Sequence, residues 1–137
     1  WVGGAGQPTT LNHEPCRTRP CADLKQAALY TTDIQYFQPA ERAAYERLGA
    51  TVQSHRSGGT DCYGYAMVAL GKMDLALDTG LKCWDVEAVI PVIQGAGGVV
   101  TDWYGRPATT DAGKFAFAGD PACLEEALVT LKRSAAR

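Results

Sequence analysis

Three aspartates carry most of the chemistry that this sequence offers: Asp61, Asp78 and Asp85. The surrounding hydropathy pattern puts Asp61 at the start of one helix, Asp78 at the end of a strand and Asp85 at the start of the next helix. In a strand–loop–helix layout these positions gather at the carboxyl end of the sheet, where open α/β sheets bind ligands. Carboxylates at such a place hold hard cations such as Mg2+, whose ligands are oxygens. Each also has a plainer role, Asp61 and Asp85 as helix caps and Asp78 as a solvated strand end. Gly58-Gly59-Thr60 leads into a helix and offers free amides to an anion, although two glycines are a weak signal. Gly95-Ala96-Gly97-Gly98 ends a helix, the wrong end for phosphate, and reads as a tight helix-to-strand turn.

Other reactive residue types give less. His13 and His55 are the only histidines, and neither has a Ser or Cys partner in a recognisable motif, so histidine-based catalysis is not indicated. The five cysteines are an odd number and none are spaced as Cys-x-x-Cys. That indicates neither a disulfide framework nor a zinc site, and reduced thiols in a cytoplasm are the expectation. Cys62 and Cys83 lie among apolar neighbours and read as small buried hydrophobes. Trp84 reads as an anchor for its loop in the core.

The elements that must position these residues follow from periodicity. Residues 1–25 carry Gly3-Gly4, Gly6, Pro8, Asn12, Pro15 and Pro20 among isolated apolar residues, a pattern of strand ends or a hairpin. Residues 26–137 form a second unit. Ala27 to Thr32 suits a buried strand. Pro39 opens a helix through Ala40, Ala43, Ala44 and Leu48, since proline needs no donor in a first turn. A strand is expected near Thr51 to Ser54. Tyr63, Ala66, Met67 and Leu70 fall on one face of a helix that ends near Gly71, and Met73 to Asp78 alternates as a strand. Helical spacing returns at Val86, Val89, Ile90 and Ile93, with Pro91 expected to bend that helix. Val99-Val100-Thr101 and Phe115-Ala116-Phe117 read as strands separated by a turn at Tyr104-Gly105-Arg106-Pro107. Asp120-Pro121 opens a last helix that buries Leu124, Ala127, Leu128 and Leu131. The alternation predicts an α/β fold, a layered αβα domain with a mixed sheet.

Composition agrees. The chain has 137 residues, 46% of them hydrophobic and 20% charged, enough for one domain with its own core. Thirteen Lys plus Arg against fifteen Asp plus Glu give a net charge of -2. Without a basic stripe, nucleic acid is a poor partner. No apolar run reaches the roughly 18 residues of a membrane span. A chain that starts at Trp1, with no initiator Met, reads as a fragment.

At this point a resemblance carries further. Cys83-Trp84-Asp85-Val86, followed by Ile90-Pro91-Val92-Ile93-Gln94-Gly95-Ala96-Gly97-Gly98-Val99-Val100-Thr101-Asp102, resembles the C-terminal signature of the inositol monophosphatase family of magnesium-dependent phosphatases. Arg56-Ser57-Gly58-Gly59-Thr60 and Val68 to Asp74 resemble that family's preceding helix and strand, and Gly6 to Asn12 resembles the hairpin that ends its N-terminal half. Within the family, Gly59, Asp61-Cys62-Tyr63, Tyr65 and the Pro91-centred run are most similar to the histidinol-phosphate branch. Glu87, Gln94 and Trp84 depart from the usual pattern.

The resemblance implies the C-terminal half of an αβαβα phosphatase that uses Mg2+ and acts on a small phosphorylated metabolite. It also implies a cytoplasmic homodimer in which the N-terminal half of the same protein completes the site. Asp85 would be a metal ligand, and Gly59, Thr60, Asp61 and Asp78 would bind substrate, with no catalytic group of its own in this chain. The family's Asp-Pro-x-Asp-Gly-[ST] loop does not occur here. A polyol needs no counter-ion, whereas histidinol phosphate offers an ammonium and an imidazole to two carboxylates, which favours an amino-alcohol ester. Inositol monophosphate and nucleotide phosphates are the alternative substrates, and a non-catalytic binding domain is the alternative from another class.

Overall fold

The computed structural model describes residues 1–109 and 113–132. Near the start, β1 (Thr10–Leu11) and β2 (Glu14–Pro15) pair antiparallel. Asn12 and His13 between them both take positive φ, 51° and 71°, the conformation that a two-residue hairpin turn needs at both positions. The hairpin is fastened to the remainder by Thr9, whose buried hydroxyl donates to the Val92 carbonyl at 2.7 Å and whose N–H donates to the Gly95 carbonyl.

Five further strands form one sheet: β3 (Ala28–Thr31), β4 (Ser54–Ser57), β5 (Leu75–Thr79), β6 (Val99–Asp102) and β7 (Lys114–Ala118). Their order is β4-β3-β5-β7-β6. β3 runs parallel to β4 and β5, and β7 runs antiparallel to β5 and β6, so the sheet is mixed. Helices α1 (Pro39–Gly49) and α5 (Pro121–Lys132) cover one face, packing on Leu29, Leu75, Leu77, Ala116 and Ala118. Helices α2 (Cys62–Ala69), α3 (Cys83–Val86) and α4 (Val89–Gly95) cover the other, packing on Tyr30, Ala76, Phe115 and Phe117. This is the expected αβα layering, and β5 shows its cause. Leu75 and Leu77 point to one layer and Ala76 to the other, because successive strand side chains alternate, and every residue of β5 is buried. Each fully buried Leu or Phe in these layers stabilises the fold by about 1.5–3 kcal/mol. Among the described residues no helix is long and apolar enough to cross a membrane.

Several local expectations need correction. The strand expected near Thr51 to Ser54 lies at Ser54–Ser57, because α1 runs to Gly49 and a turn follows it. The helix expected to bend at Pro91 is instead two helices that part between Val86 and Val89. Proline has no N–H to donate to residue 87, so the helix restarts with Pro91 in its first turn, where no donor is needed. Helix α2 buries Tyr65, Val68 and Ala69, while Tyr63 is exposed and Met67 and Leu70 are half-buried. Its sequence is apolar all round, so spacing alone did not fix the buried face. In α1, Ala40 is exposed and Tyr45 is buried with Ala44 and Leu48. Trp84 is 76% exposed rather than a core anchor. Cys62 is exposed and Cys83 half-buried, whereas Cys16 and Cys123 are the buried thiols. His13 and His55 are exposed.

One buried charge ties the chain's early part to the sheet. Asp74 is 1% exposed and accepts from Arg19 Nε at 2.7 Å, from the other arm of that guanidinium, and from the Ala28 N–H at 2.7 Å. Burial alone pushes such a carboxyl up, but the Arg19 guanidinium and the Ala28 N–H outweigh it and hold Asp74 below its ordinary value. A group depressed in this way contributes its stability fully above the ordinary value near about 3.9 and loses it as pH falls through the lower folded value. Arg19→Leu leaves the buried carboxylate without its cation and is expected to cost about 3 kcal/mol near neutral pH. In urea unfolding followed against pH, the gap in stability between parent and variant should narrow as pH falls through the parent's lowered folded value, because the parent then loses a contribution that the variant no longer has. An unchanged urea midpoint would remove the pair from the fold's supports.

Candidate active site

The parallel strands β3, β4 and β5 bring their carboxyl ends to one edge of the sheet. The loop after β4 is tied back across that edge. The Gly58 N–H donates to the Thr31 carbonyl, the Gly59 N–H to the Thr32 carbonyl, and the Ser57 hydroxyl to the same Thr32 carbonyl at 3.1 Å. A cavity of about 330 Å³ opens here, lined by Asp61 and Asp78 with Thr32, Tyr36, Tyr65 and Thr79 among its walls. Among the described residues no Lys, Arg or His lines it.

Asp78 is not a solvated strand end. It is 2% exposed, and its Oδ2 accepts from the Thr32 N–H at 2.9 Å and the Tyr65 hydroxyl at 2.8 Å, while Oδ1 accepts from the Thr79 N–H at 3.1 Å. All three donors are neutral. Burial, then the neighbouring Asp78 charge, pushes the Tyr65 phenol well above its usual range, so it stays protonated and donates. Asp61 is not a cap either. It stands at the N-cap of α2 but makes no capping hydrogen bond, and its φ of 44° lies in the left-handed region, which costs an ordinary residue free energy. Its carboxylate is exposed. Thus the cavity brings together one buried and one exposed carboxylate, and among the described residues no basic side chain lines it.

Gly59 and Thr60 precede Asp61 in the same loop. Gly59 takes φ +61° with open space around the place of a Cβ, a conformation that glycine adopts without strain. Thr60 is held by Tyr30, whose hydroxyl accepts its N–H at 3.0 Å and pairs with its Oγ1 at 2.7 Å. Asp85 is not among the residues lining the cavity. Its Oδ2 accepts the Lys82 N–H at 2.7 Å, the reciprocal bond of a capping box. The plainer role therefore occupies one oxygen of Asp85.

Magnesium takes six oxygens in near-octahedral geometry and usually keeps several waters. Among the described residues no group of three or more His, Cys, Asp or Glu is gathered to hold a metal ion. The donors present fit one ligand's contribution, from the second oxygen of Asp85, and not a complete site.

Sequence reasoning missed Tyr30, Thr32 and Thr79 and valued Tyr65 only through a resemblance. Tyr30 could be found only from the fold: Gly58 and Gly64 are both placed where a Cβ would meet its ring, at 2.7 Å and 2.2 Å. Glu41 in the first turn of α1 was also missed. It pairs with Lys114 Nζ at 2.9 Å and reaches the Thr79 side chain, and these partners hold its carboxyl below the ordinary value against the effect of burial.

Comparison with known proteins bears on what this site is. A model of the inositol monophosphatase family matches residues 1–135. The chain is 45% identical over 106 residues to the chloroplastic bifunctional phosphatase IMPL2 of Arabidopsis thaliana, covering 77% of this chain and 30% of that protein. It is 30% identical over 107 residues to a histidinol-phosphatase of Chlorobaculum parvum, covering 77% of this chain and 41% of that one. The structure of an inositol monophosphatase from Zymomonas mobilis superposes with a TM-score of 0.92 at 35% identity, over 96% of this chain and 52% of that one. The chain thus spans about half or less of the length of these relatives. With the match running across the hairpin, the aspartate-lined cavity and the Asp85 helix alike, the chain belongs to the inositol monophosphatase family, whose members are metal-dependent phosphatases.

Proposed function

We propose that the full-length protein is a magnesium-dependent phosphomonoesterase acting on histidinol phosphate, and that this chain is its C-terminal, substrate-recognising portion. The observation that carries the reading is the cavity at the sheet edge, where Asp78 is buried on neutral donors, Asp61 lines the same cavity without a side-chain cap bond, and no basic side chain among the described residues lines it. A phosphate ester with an ammonium or imidazolium group supplies the missing positive charge. A polyol ester leaves Asp78 buried without a cation, which is the costly state. The Chlorobaculum relative named a histidinol-phosphatase points the same way.

In this reading Asp61 and Asp78 bind the cationic end of the substrate, and the Gly59-Thr60 backbone shapes the wall beside it. Asp85 offers one carboxylate oxygen to magnesium, with its other oxygen locked on the Lys82 N–H. When bound, magnesium supplies an activated water and stabilises the leaving alkoxide. The remaining ligands belong to the preceding half that the longer relatives carry.

Phosphate release by the purified full-length protein with magnesium is expected to favour histidinol phosphate over inositol 1-phosphate by about 10-fold or more in kcat/KM. The chain of residues 1–137 alone is expected to release no phosphate above a heat-killed control. Preference for the inositol ester would overturn the substrate, and turnover by residues 1–137 alone would overturn the division of labour. A full-length protein inert toward every phosphate ester would favour a binding domain that keeps the fold.

A further inference from the structure

Two buried tyrosines stand behind the two carboxylates of the cavity. Tyr30 belongs to β3 and Tyr65 to α2, and their rings meet edge to face with centroids 6.2 Å apart. Tyr65 is also stacked on Phe117 at 4.6 Å. At its outer end the Tyr65 hydroxyl donates to Asp78 Oδ2 at 2.8 Å and lies 3.0 Å from Thr32 Oγ1. The Tyr30 hydroxyl accepts the N–H of Thr60, the residue immediately before Asp61, and shares a hydrogen bond with its Oγ1. One ring thus ends on the buried carboxylate and its neighbour ends on the loop that presents the exposed one.

The loop needs such a tie. Gly59 and Asp61 both hold positive φ; the Asp61 carbonyl accepts the Gly64 and Tyr65 N–H groups, but its side chain makes no cap bond to α2, so the carboxylate is placed through the loop that carries it. The Tyr30 ring is wedged between that loop and α2. A Cβ on Gly64 would lie 2.2 Å from Tyr30 Cζ, and one on Gly58 would lie 2.7 Å from Cε2. Glycine, the smallest residue, stands on both sides of the ring. Asp78 needs its tie for another reason, because a carboxyl group at 2% exposure is oriented by the hydrogen bonds it accepts. Recognition of a cation at two points depends on the distance between those points being held to a fraction of an ångström.

We propose that Tyr30 and Tyr65 act together as positioning residues that set the spacing of Asp61 and Asp78, and so give the site its selectivity for a phosphate ester bearing a cationic group. The proposal rests on the reading of the cavity as a cation site. Neither tyrosine reacts. Each acts through a hydroxyl hydrogen bond, and the packed pair of rings couples the two carboxylates to one rigid support in the layer between sheet and helix.

Tyr30→Phe and Tyr65→Phe test this in the full-length protein, since each keeps the ring, its volume and its aromatic contacts while removing one hydroxyl. Each variant is expected to lower kcat/KM for histidinol phosphate by about 10-fold, chiefly through KM, and by at least about 3-fold more than it lowers that for p-nitrophenyl phosphate or inositol 1-phosphate. Calorimetric titration with histidinol, which lacks the phosphate, should show the same weakening without reference to turnover. Equal losses on all three esters, or unaltered selectivity in both variants, overturn the proposal. Asp78→Asn measured in parallel separates the two levels. If it abolishes the preference and the tyrosine variants do not, the positioning role fails and the cation site stands; if it leaves the preference intact, the cation site itself fails and takes the positioning role with it. Should Tyr65→Phe not give folded protein, Tyr30→Phe carries the same outcomes, because its hydroxyl touches the loop and not the buried carboxylate.

Discussion

Asp61→Asn in the full-length protein is expected to lower kcat/KM for histidinol phosphate by about 10-fold or more and to leave p-nitrophenyl phosphate within about 2-fold. Asparagine is the informative replacement because it keeps the size and branching of the aspartate that already occupies this position, so that the charge is what is lost. A hydrogen bond to a charged partner is worth roughly 1.5–3 kcal/mol, and tenfold in kcat/KM corresponds to about 1.4 kcal/mol. The lower end applies, because Asp61 is exposed and part of its interaction is screened by water. The fold should be little affected, since the wild-type carboxylate makes no capping bond to α2. A variant with equal losses on both esters would make Asp61 a structural residue of its loop. One with unaltered substrate preference would remove it from the binding surface.

What the sequence made legible, and what it did not, divides along physical lines. The β5 run was legible as a strand because Leu75 and Leu77 alternate with smaller residues, and α5 because Leu124, Ala127, Leu128 and Leu131 share one stripe; all four are buried. The buried face of α2 was not legible. Every side of that helix is apolar, and Tyr30 arrives from a strand more than 30 positions earlier to select the side that carries Gly64. The same long-range contact hid the support of the site. Asp61 and Asp78 could be placed at the sheet edge from the order of elements, and they line one cavity. Whether each was a cap, a solvated end or a buried anion depended on partners at Thr32, Tyr65 and Thr79. The exposure of Trp84 has a similar cause. Its size predicts burial, but it sits in the four-residue helix α3, where Val86 is the buried residue.

Asp85→Asn should give the largest loss of any single substitution described. In the full-length protein, turnover of histidinol phosphate is expected to fall about 100-fold or more, and magnesium affinity measured by calorimetry to weaken at least about 10-fold. The reasoning turns on the two roles that one carboxylate can hold. Oδ2 accepts the Lys82 N–H at 2.7 Å and fastens the start of α3. An asparagine carbonyl oxygen accepts the same bond nearly as well, so the thermal midpoint should stay close to that of the parent. The negative charge is what asparagine cannot supply, and a hard divalent cation requires it. Asp85→Ala serves as the contrast. It loses both roles, and beyond the loss of turnover it should cost about 1 kcal/mol of stability through the missing cap. Activity that survives in Asp85→Asn and falls only in Asp85→Ala would assign the residue wholly to the helix start. Turnover lost in both, with stability lost in alanine alone, would separate the charge of Asp85 from its hydrogen bond and place the charge at the metal.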